Sequence, residues 1–364
     1  GLVEAGRLRH LVDLRRRQVF HDAYERTYRR RILDAVAVRR ALPCAEPAER
    51  PRAQFVFCID EREESIRRAI EEQHPLYTTF GIAGFFGVAM DYRGLYDREP
   101  AAHCPVVVTP GHEVHEQPVF THRNWHELRR QLRDRWHGWE RRFAAASRTL
   151  TGGAGLSFLL GPVSALTTLA RVLVPRHYST FHQQVKAAVA PRPVTRLSTF
   201  RAPADLEKPA AVHGRDEMPG DVRPAKPIGF SLDEAVDRVT AVLRNIGLVD
   251  HFAPIVVVLG HGSTSLNNPH ESAHDCGACG GRRGGANARL FADIANRPDV
   301  RAGVRQRGLV IPSDCWFVGA LHDTADDSVQ FYDLELMPAS HAAAFQEAWT
   351  ALEQARRDNA LERS

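Results

Sequence analysis

Two apolar runs, each ending abruptly in chemically capable side chains, dominate the hydrophobic pattern of this chain. The first is Phe55-Val-Phe-Cys58-Ile-Asp60-Glu-Arg62, which passes into a charged helical stretch through Glu72. The second is Ile255-Val-Val-Val-Leu259-Gly-His261-Gly-Ser263. Runs so rich in β-branched and aromatic residues predict buried strands. In an extended segment Cys58, Asp60 and Arg62 share one face, so a single point could be reached by all three. Open α/β sheets carry ligand sites at the carboxyl ends of their strands, and both runs end in such candidates.

The rest of the pattern fits around these strands. Residues 2–42 carry apolar positions at helical spacing (Leu8, Leu11, Val12, Val19, Phe20, Ile32, Leu33, Val36) and predict one or two amphipathic helices whose stripe packs on the core. Pro43, Pro47 and Pro51 then break the helix. Between Thr78 and Val88 glycines alternate with large apolar residues, which suits either a close backbone approach to a ligand loop or a kinked buried strand. Val106–Val108 predicts a short strand and Trp125–Phe143 a charged helix.

No charge occurs between Arg148 and Arg171, but Gly152, Gly153, Gly155, Gly161 and Pro162 interrupt that run. It therefore predicts a buried helix pair rather than a membrane span, with a docking surface for a membrane partner as the alternative. The proline-rich stretch from Pro191 to Pro227 reads as a connection between two site-bearing halves. Ser231 and Glu234 form a capping box for a helix that stops near Gly247. Further on, Asn287–Asn296 predicts a helix, Gly308–Pro312, Cys315–Val318 and Ser328–Leu336 predict strands, and an alanine-rich helix follows Ala339. Alternating strands and helices give the α/β class, with a mostly parallel sheet flanked by helices. The expected organisation is 1–50 basic helices, 51–190 the first half of the core with a helical insertion, 191–228 the connection, 229–338 the second half, and 339–364 a C-terminal helix.

Composition changes this picture little. A chain of 364 residues with 43% hydrophobic content and a net charge of +4 is an ordinary globular protein. Arginines 15–17, 29–31, 39 and 40 crowd the first helical region. They read as a solvated helix face, with an anionic lipid or nucleic-acid contact as the sharper alternative; no aromatic interleaving accompanies them, so no nucleic-acid partner is expected. Six scattered cysteines do not make a disulfide framework and point to a reducing compartment with metal-binding thiols. The first residues show no signal-peptide pattern, and a chain that begins at Gly1 reads as part of something longer.

The chemistry gathers at the two strand ends. Beyond His261 lies His274-Asp275-Cys276-Gly-Ala-Cys279-Gly-Gly281. Cys58, Asp60, His261 and Cys276 form a donor set suited to tetrahedral zinc, Zn2+, which favours thiolate and imidazole and accepts a carboxylate. His270 and His274 are rival ligands. The bland alternatives are a small buried hydrophobe at Cys58 and a structural zinc knuckle at Cys276 and Cys279.

Cys58-x-Asp60-x-Arg62 resembles the strand-end motif of β-carbonic anhydrases. Taken with Gly84-Phe-Phe-Gly87, Gly260-His-Gly262, Asn267-Asn-Pro269 and Asp275-Cys-Gly-Ala-Cys-Gly280, it resembles the inorganic carbon transporter subunits of the DabA family. That resemblance implies a β-carbonic-anhydrase-like core with helical insertions. It implies zinc on Cys58, Asp60, His261 and Cys276, with Asp60 and Arg62 as a dyad deciding whether carboxylate or water takes the fourth position. It further implies hydration of CO2 to bicarbonate, gated through the membrane proton-conducting subunit DabB, on the cytoplasmic face of a bacterial inner membrane as a peripheral protein. The long interval from His261 to Cys276 departs from simple β-carbonic anhydrases. An autonomous carbonic anhydrase and a structural-zinc interaction module are the alternatives.

Overall fold

The computed structural model describes residues 2–41, 49–119, 123–174, 177–178, 180–181, 184–185, 194–201, 226–264 and 271–364. Two compact units are present, Gly1–Glu49 and Arg50–Ser364. In the first, the expected one or two helices are a single one, α1 (Leu2–Ala41).

The second unit opens with β1 (Ala53–Cys58), whose six residues are all buried. There follow α2 (Glu64–Gln73), β2 (Tyr77–Ile82), β3 (Met90–Arg93), β4 (Ala101–His103) and β5 (Glu113–Pro118). Helices α3 (Arg123–Ser147) and α4 (Leu150–Leu173) come next, then β6 (Thr195–Leu197) and α5 (Leu232–Asn245). The chain continues through β7 (Ile255–Gly262), α6 (Gly285–Asn296), α7 (Pro298–Gln306), β8 (Trp316–Asp323), β9 (Ser328–Phe331) and α8 (Ala342–Arg363).

The main sheet has the order β2-β1-β7-β8-β9. Its first four strands run parallel and only β9 is antiparallel to its neighbour. Alternate residues leave opposite faces, and helices cover both, which is why β1 and β7 read as unbroken apolar runs. On one face Val56, Val256, Val258 and Phe317 pack with Val239 and Leu243 of α5, Phe291 and Ile294 of α6, and Val300 and Val304 of α7. On the other, Phe55, Phe57, Val257 and Leu259 meet Ile66 and Ile70 of α2 and Phe345 and Leu352 of α8. The Ser231–Glu234 capping box forms as expected, and Gly247 ends α5 in the left-handed region at φ 76°.

A second sheet, β4-β3-β5-β6, was not legible in the sequence, because its strands are short and polar. It mixes parallel and antiparallel pairs, so the architecture is α/β with mixed sheets. Arg289 on α6 joins the two sheets: Nη1 donates to Glu116 Oε1 of β5 at 3.0 Å, Nη2 to the Thr195 carbonyl of β6 at 2.7 Å, and Nε to Asp333 beyond β9 at 2.6 Å.

Four sequence expectations fail locally. The strand expected over Ser328–Leu336 ends at Phe331, and Leu334–Leu336 is a 3-10 turn. Val106 and Val107 lie in a turn closed by Val108 N–H donating to the Pro105 carbonyl at 2.8 Å, and they are 92% and 94% exposed. No strand neighbour is available there, so β propensity counts for nothing. Residues 308–312 are irregular: Leu309 and Ile311 are buried in the core without pairing to a strand. The uncharged run after Arg148 is one helix, α4, with no buried residue, instead of a buried pair. Of the expected connection 191–228, the described parts are 194–201, which supply β6, and 226–228; the remainder lies outside the described residues.

Candidate metal centre

Strands β1 and β7 are parallel neighbours with Phe57 opposite Leu259, so their carboxyl ends lie side by side. Just beyond that pair, β1 delivers Cys58 one residue on and β7 delivers His261 two residues on. The third group comes from the loop after β7, where Cys276 and Arg282 form an isolated bridge. The Cys279 and Gly281 N–H groups donate to the Cys276 carbonyl at 3.0 and 3.1 Å. Gly280 and Gly281 sit at φ 68° and 72°, a tight reversal that side chains with a Cβ adopt with strain. Ligating atoms of Cys58, His261 and Cys276 all lie within 4.8 Å of one another, and all three residues are buried.

Gly84 faces the two thiols. A Cβ there would stand 2.6 Å from Cys276 Sγ and 2.8 Å from Cys58 Sγ. The close-approach reading of the glycine-rich stretch is therefore correct. A turn containing Phe86 and Gly87, both left-handed at φ 48° and 66°, presents this glycine. Asn287 of α6 holds the turn by donating from Nδ2 to the Val88 carbonyl at 2.9 Å and the His103 carbonyl at 3.0 Å.

Asp60 and Arg62 meet by a different route from the one expected. The strand ends at Cys58, and Asp60 is the N-cap of a 3-10 turn, Glu61–Glu63. Its carboxylate accepts from the Arg62 backbone N–H at 3.1 Å and bidentately from the guanidinium, at 2.7 Å from Nε and 2.9 Å from Nη2. Turn geometry, not strand alternation, creates this pair. Asp60 Oδ2 is also 3.5 Å from His261 Nε2, and Arg62 Nη2 is 3.3 Å from the same nitrogen. Arg62 binds the His274 carbonyl as well, anchoring the cysteine loop. The Arg62 guanidinium, against the opposing effect of partial burial, lowers the Asp60 carboxyl to about 2.

The two thiols are held protonated when no cation is bound. The Cys276 thiol and burial push Cys58 far above its ordinary range. Cys276 is raised to about 12, chiefly by the adjacent Cys279 thiol and by burial. A divalent cation reverses this preference, because it binds the thiolate form. Two thiols and one imidazole, all buried, fit zinc: Zn–S bonds of about 2.3 Å put two sulfurs about 3.8 Å apart, within the spread of these atoms. Asp60 lies close to the group without being one of its three members.

Among the described residues, neither rival cysteine nor rival histidine joins the cluster. Cys279 packs beside the other two cysteines, but its Sγ donates to the Gly84 carbonyl at 3.2 Å. His270 and the Asn267–Pro269 motif lie outside the described residues. Sequence reasoning missed Glu63 and His322, both fully buried behind His261. The available signal was a histidine ending the apolar run Phe317-Val-Gly-Ala-Leu-His322, a third strand terminating as the first two do.

Comparison with known proteins bears on what this centre belongs to. A family model described as "Probable inorganic carbon transporter subunit DabA" matches residues 3–364. The subunit DabA 1 of Sorangium cellulosum is 41% identical over 352 residues, 96% of this chain and 33% of its own length. That of Methylococcus capsulatus is 43% identical over 347 residues, 94% and 31% respectively. A DabA 2 of Rhodopirellula baltica is 42% identical over 356 residues, 97% and 32%. No solved structure matches. The chain spans about a third of the length of these relatives. By the match along almost its whole length, this chain belongs to the family of probable inorganic carbon transporter subunits DabA.

Proposed function

We propose that the chain is the zinc-holding part of an energy-coupled inorganic carbon uptake system, and that it hydrates CO2 to bicarbonate at a gated site. The observation that carries this reading is the convergence of Cys58, His261 and Cys276 within 4.8 Å, beside a carboxylate already engaged by an arginine. Cys58, His261 and Cys276 would hold the ion. Zinc bound there supplies a Lewis acid that makes water nucleophilic at neutral pH.

The chain's own residues then set access. Arg62 grips both oxygens of Asp60, which would leave room for water beside an ion held by Cys58, His261 and Cys276. Release of that grip would free the Asp60 carboxylate, already 3.5 Å from His261 Nε2, to approach the same ion and exclude water. Cys58, His261 and Cys276 are each 3% exposed or less, while Asp60 and Arg62 beside them reach the surface, so the pair stands on the solvent side of the site. Coupling of the exchange to proton movement through the membrane subunit DabB would make hydration one-directional and retain bicarbonate.

The membrane contact of this reading rests on α4. Its 24 residues have a mean hydropathy of 1.6 in the most apolar window, and Phe158, Leu159 and Leu166 are 85%, 70% and 67% exposed. Such an uncovered surface fits contact with a membrane or a membrane protein, and peripheral placement on the cytoplasmic face is part of the proposal. The Asp60–Arg62 pairing also favours a second reading, an autonomous carbonic anhydrase, since it leaves the fourth position open.

The test measures zinc in the purified chain and in Cys58→Ala and His261→Ala variants, with CO2 hydration assayed with and without co-expressed DabB. One zinc per chain, lost in both variants, and hydration that needs DabB support the gated reading. Free hydration without DabB supports the autonomous enzyme. Zinc without hydration under either condition leaves a structural-zinc module, and no zinc in the wild type removes both catalytic readings.

A further inference from the structure

Behind His261 runs a line of buried polar groups that lies outside the three-residue cluster. His261 and His322 stand opposite each other in the parallel pairing of β7 and β8. Glu63, from the 3-10 turn after β1, lies against both rings: Oε1 is 4.0 Å from His261 Nδ1, and Oε1 and Oε2 are 2.9 and 3.0 Å from His322 Nδ1. His322 Nε2 is 3.2 Å from Asp327 Oδ1. The other Asp327 oxygen accepts from Asn359 Nδ2 at 2.9 Å and from Arg363, both on α8. Glu63, His261, His322 and Asn359 are 0% exposed and Asp327 is 2%.

Burying two carboxylates and two imidazoles is costly unless each is satisfied. Two atoms in the line are buried without a hydrogen-bond partner, Asn359 Oδ1 at its far end and His261 Nδ1 at the site end. Glu63 Oε1 lies 4.0 Å from His261 Nδ1. The opposite nitrogen, Nε2, is the one near Asp60 and Arg62. The ring thus has one nitrogen on the site side and one on the Glu63 side. Asp327 is itself held at φ 56° in the turn between β8 and β9, a conformation uncommon for a residue with a side chain.

We propose that Glu63 is a positioning residue for His261. Its carboxylate, 4.0 Å from Nδ1, favours by its charge the Nδ1–H tautomer that leaves Nε2 as an electron-pair donor, and is itself clamped by His322, Asp327 and the last turns of α8. The inference rests on the metal-centre reading for its purpose, but not for its first observable. A ligating histidine whose second nitrogen is bound to a carboxylate is a better-oriented and more basic donor, and loss of such a partner typically weakens metal binding 10–100-fold.

The experiment compares wild type with Glu63→Gln, using 15N-histidine NMR on metal-free protein and chelator competition for zinc. The His261 signals are identified by their absence from His261→Gln. The expected wild-type tautomer is Nδ1–H, becoming mixed in Glu63→Gln, with zinc affinity falling at least tenfold. The visible spectrum of the cobalt-loaded variant should shift as well. An Nε2–H tautomer in the wild type, or a tautomer and affinity unmoved by Glu63→Gln, overturns the proposal, even if the melting temperature falls as a purely structural role would require. A fixed Nδ1–H tautomer in a wild type that binds no zinc would instead overturn the metal-centre reading and leave the positioning role standing. If Glu63→Gln does not fold, His322→Gln reads the same two quantities one step further out, and an unchanged tautomer there overturns the clamp.

Discussion

Replacing Gly84 by alanine adds one methyl group at the most sensitive point of the centre. Its carbon would stand 2.6 Å from Cys276 Sγ, 2.8 Å from Cys58 Sγ and 3.3 Å from Cys58 Cβ. Carbon–sulfur contacts relax near about 3.7 Å, so both sulfurs, or the Gly84 backbone, must retreat by about 1 Å. The Gly84 backbone cannot retreat freely, because its carbonyl accepts from Cys279 and Asn287 holds the turn that follows. Overpacking of this size costs about 1–3 kcal/mol of stability in a packed interior. Metal binding suffers more, since zinc tolerates ligand displacements of only about 0.2 Å. The expected outcome is a folded protein with a lower melting temperature and a zinc affinity reduced at least tenfold. Zinc per chain by elemental analysis, chelator competition and thermal unfolding with and without metal measure it. Wild-type affinity in Gly84→Ala would refute the reasoning, because it would mean that the two thiols are not held against this glycine.

Four further outcomes follow from other parts of the structure. Zinc uptake at neutral pH should release close to two protons per ion, because the Cys58 and Cys276 thiols are both raised, the latter to about 12; indicator-dye titration in weak buffer checks it, and a release near zero would contradict the thiolate assignment. Asp60, lowered to about 2 by Arg62, contributes stability that is present above its ordinary pKa of 3.8 and is lost as pH falls through about 2. Arg62→Ala should therefore move the Asp60 titration, followed by carboxyl 13C NMR, back up towards the ordinary value, and no movement would remove the pair. Gly260→Ala should be severely destabilising, since its Cβ would meet the backbone carbon and oxygen of Gly284 at 2.2 Å. Val106→Ser, on an exposed turn, should stay within about 0.5 kcal/mol in the same denaturation series.

The elements most legible in the sequence were those buried on both faces. An unbroken run such as Phe55–Cys58 or Ile255–Leu259 has few alternatives to a central parallel strand, and a capping box such as Ser231–Glu234 fixes a helix start through purely local hydrogen bonds. Those strands carried Cys58 and His261 to their ends, so two members of the three-residue cluster stood out as candidates in one dimension. The short polar strands β3 to β6 left no such mark, because their pairing depends on partners far along the chain. Val106–Val108 failed for the complementary reason: propensity without a neighbouring strand does not make one.

By itself the sequence determined which donors the chain carries, the α/β class, and the glycines that let backbone approach sulfur, because these depend on residue type and local period. Only the tertiary structure decided which donors converge. Cys276 reaches Cys58 across more than two hundred residues of chain because parallel pairing of β1 with β7 sets two strand ends side by side. The same long-range register places His322 opposite His261 and closes Glu63 over both, from segments that no local pattern connects.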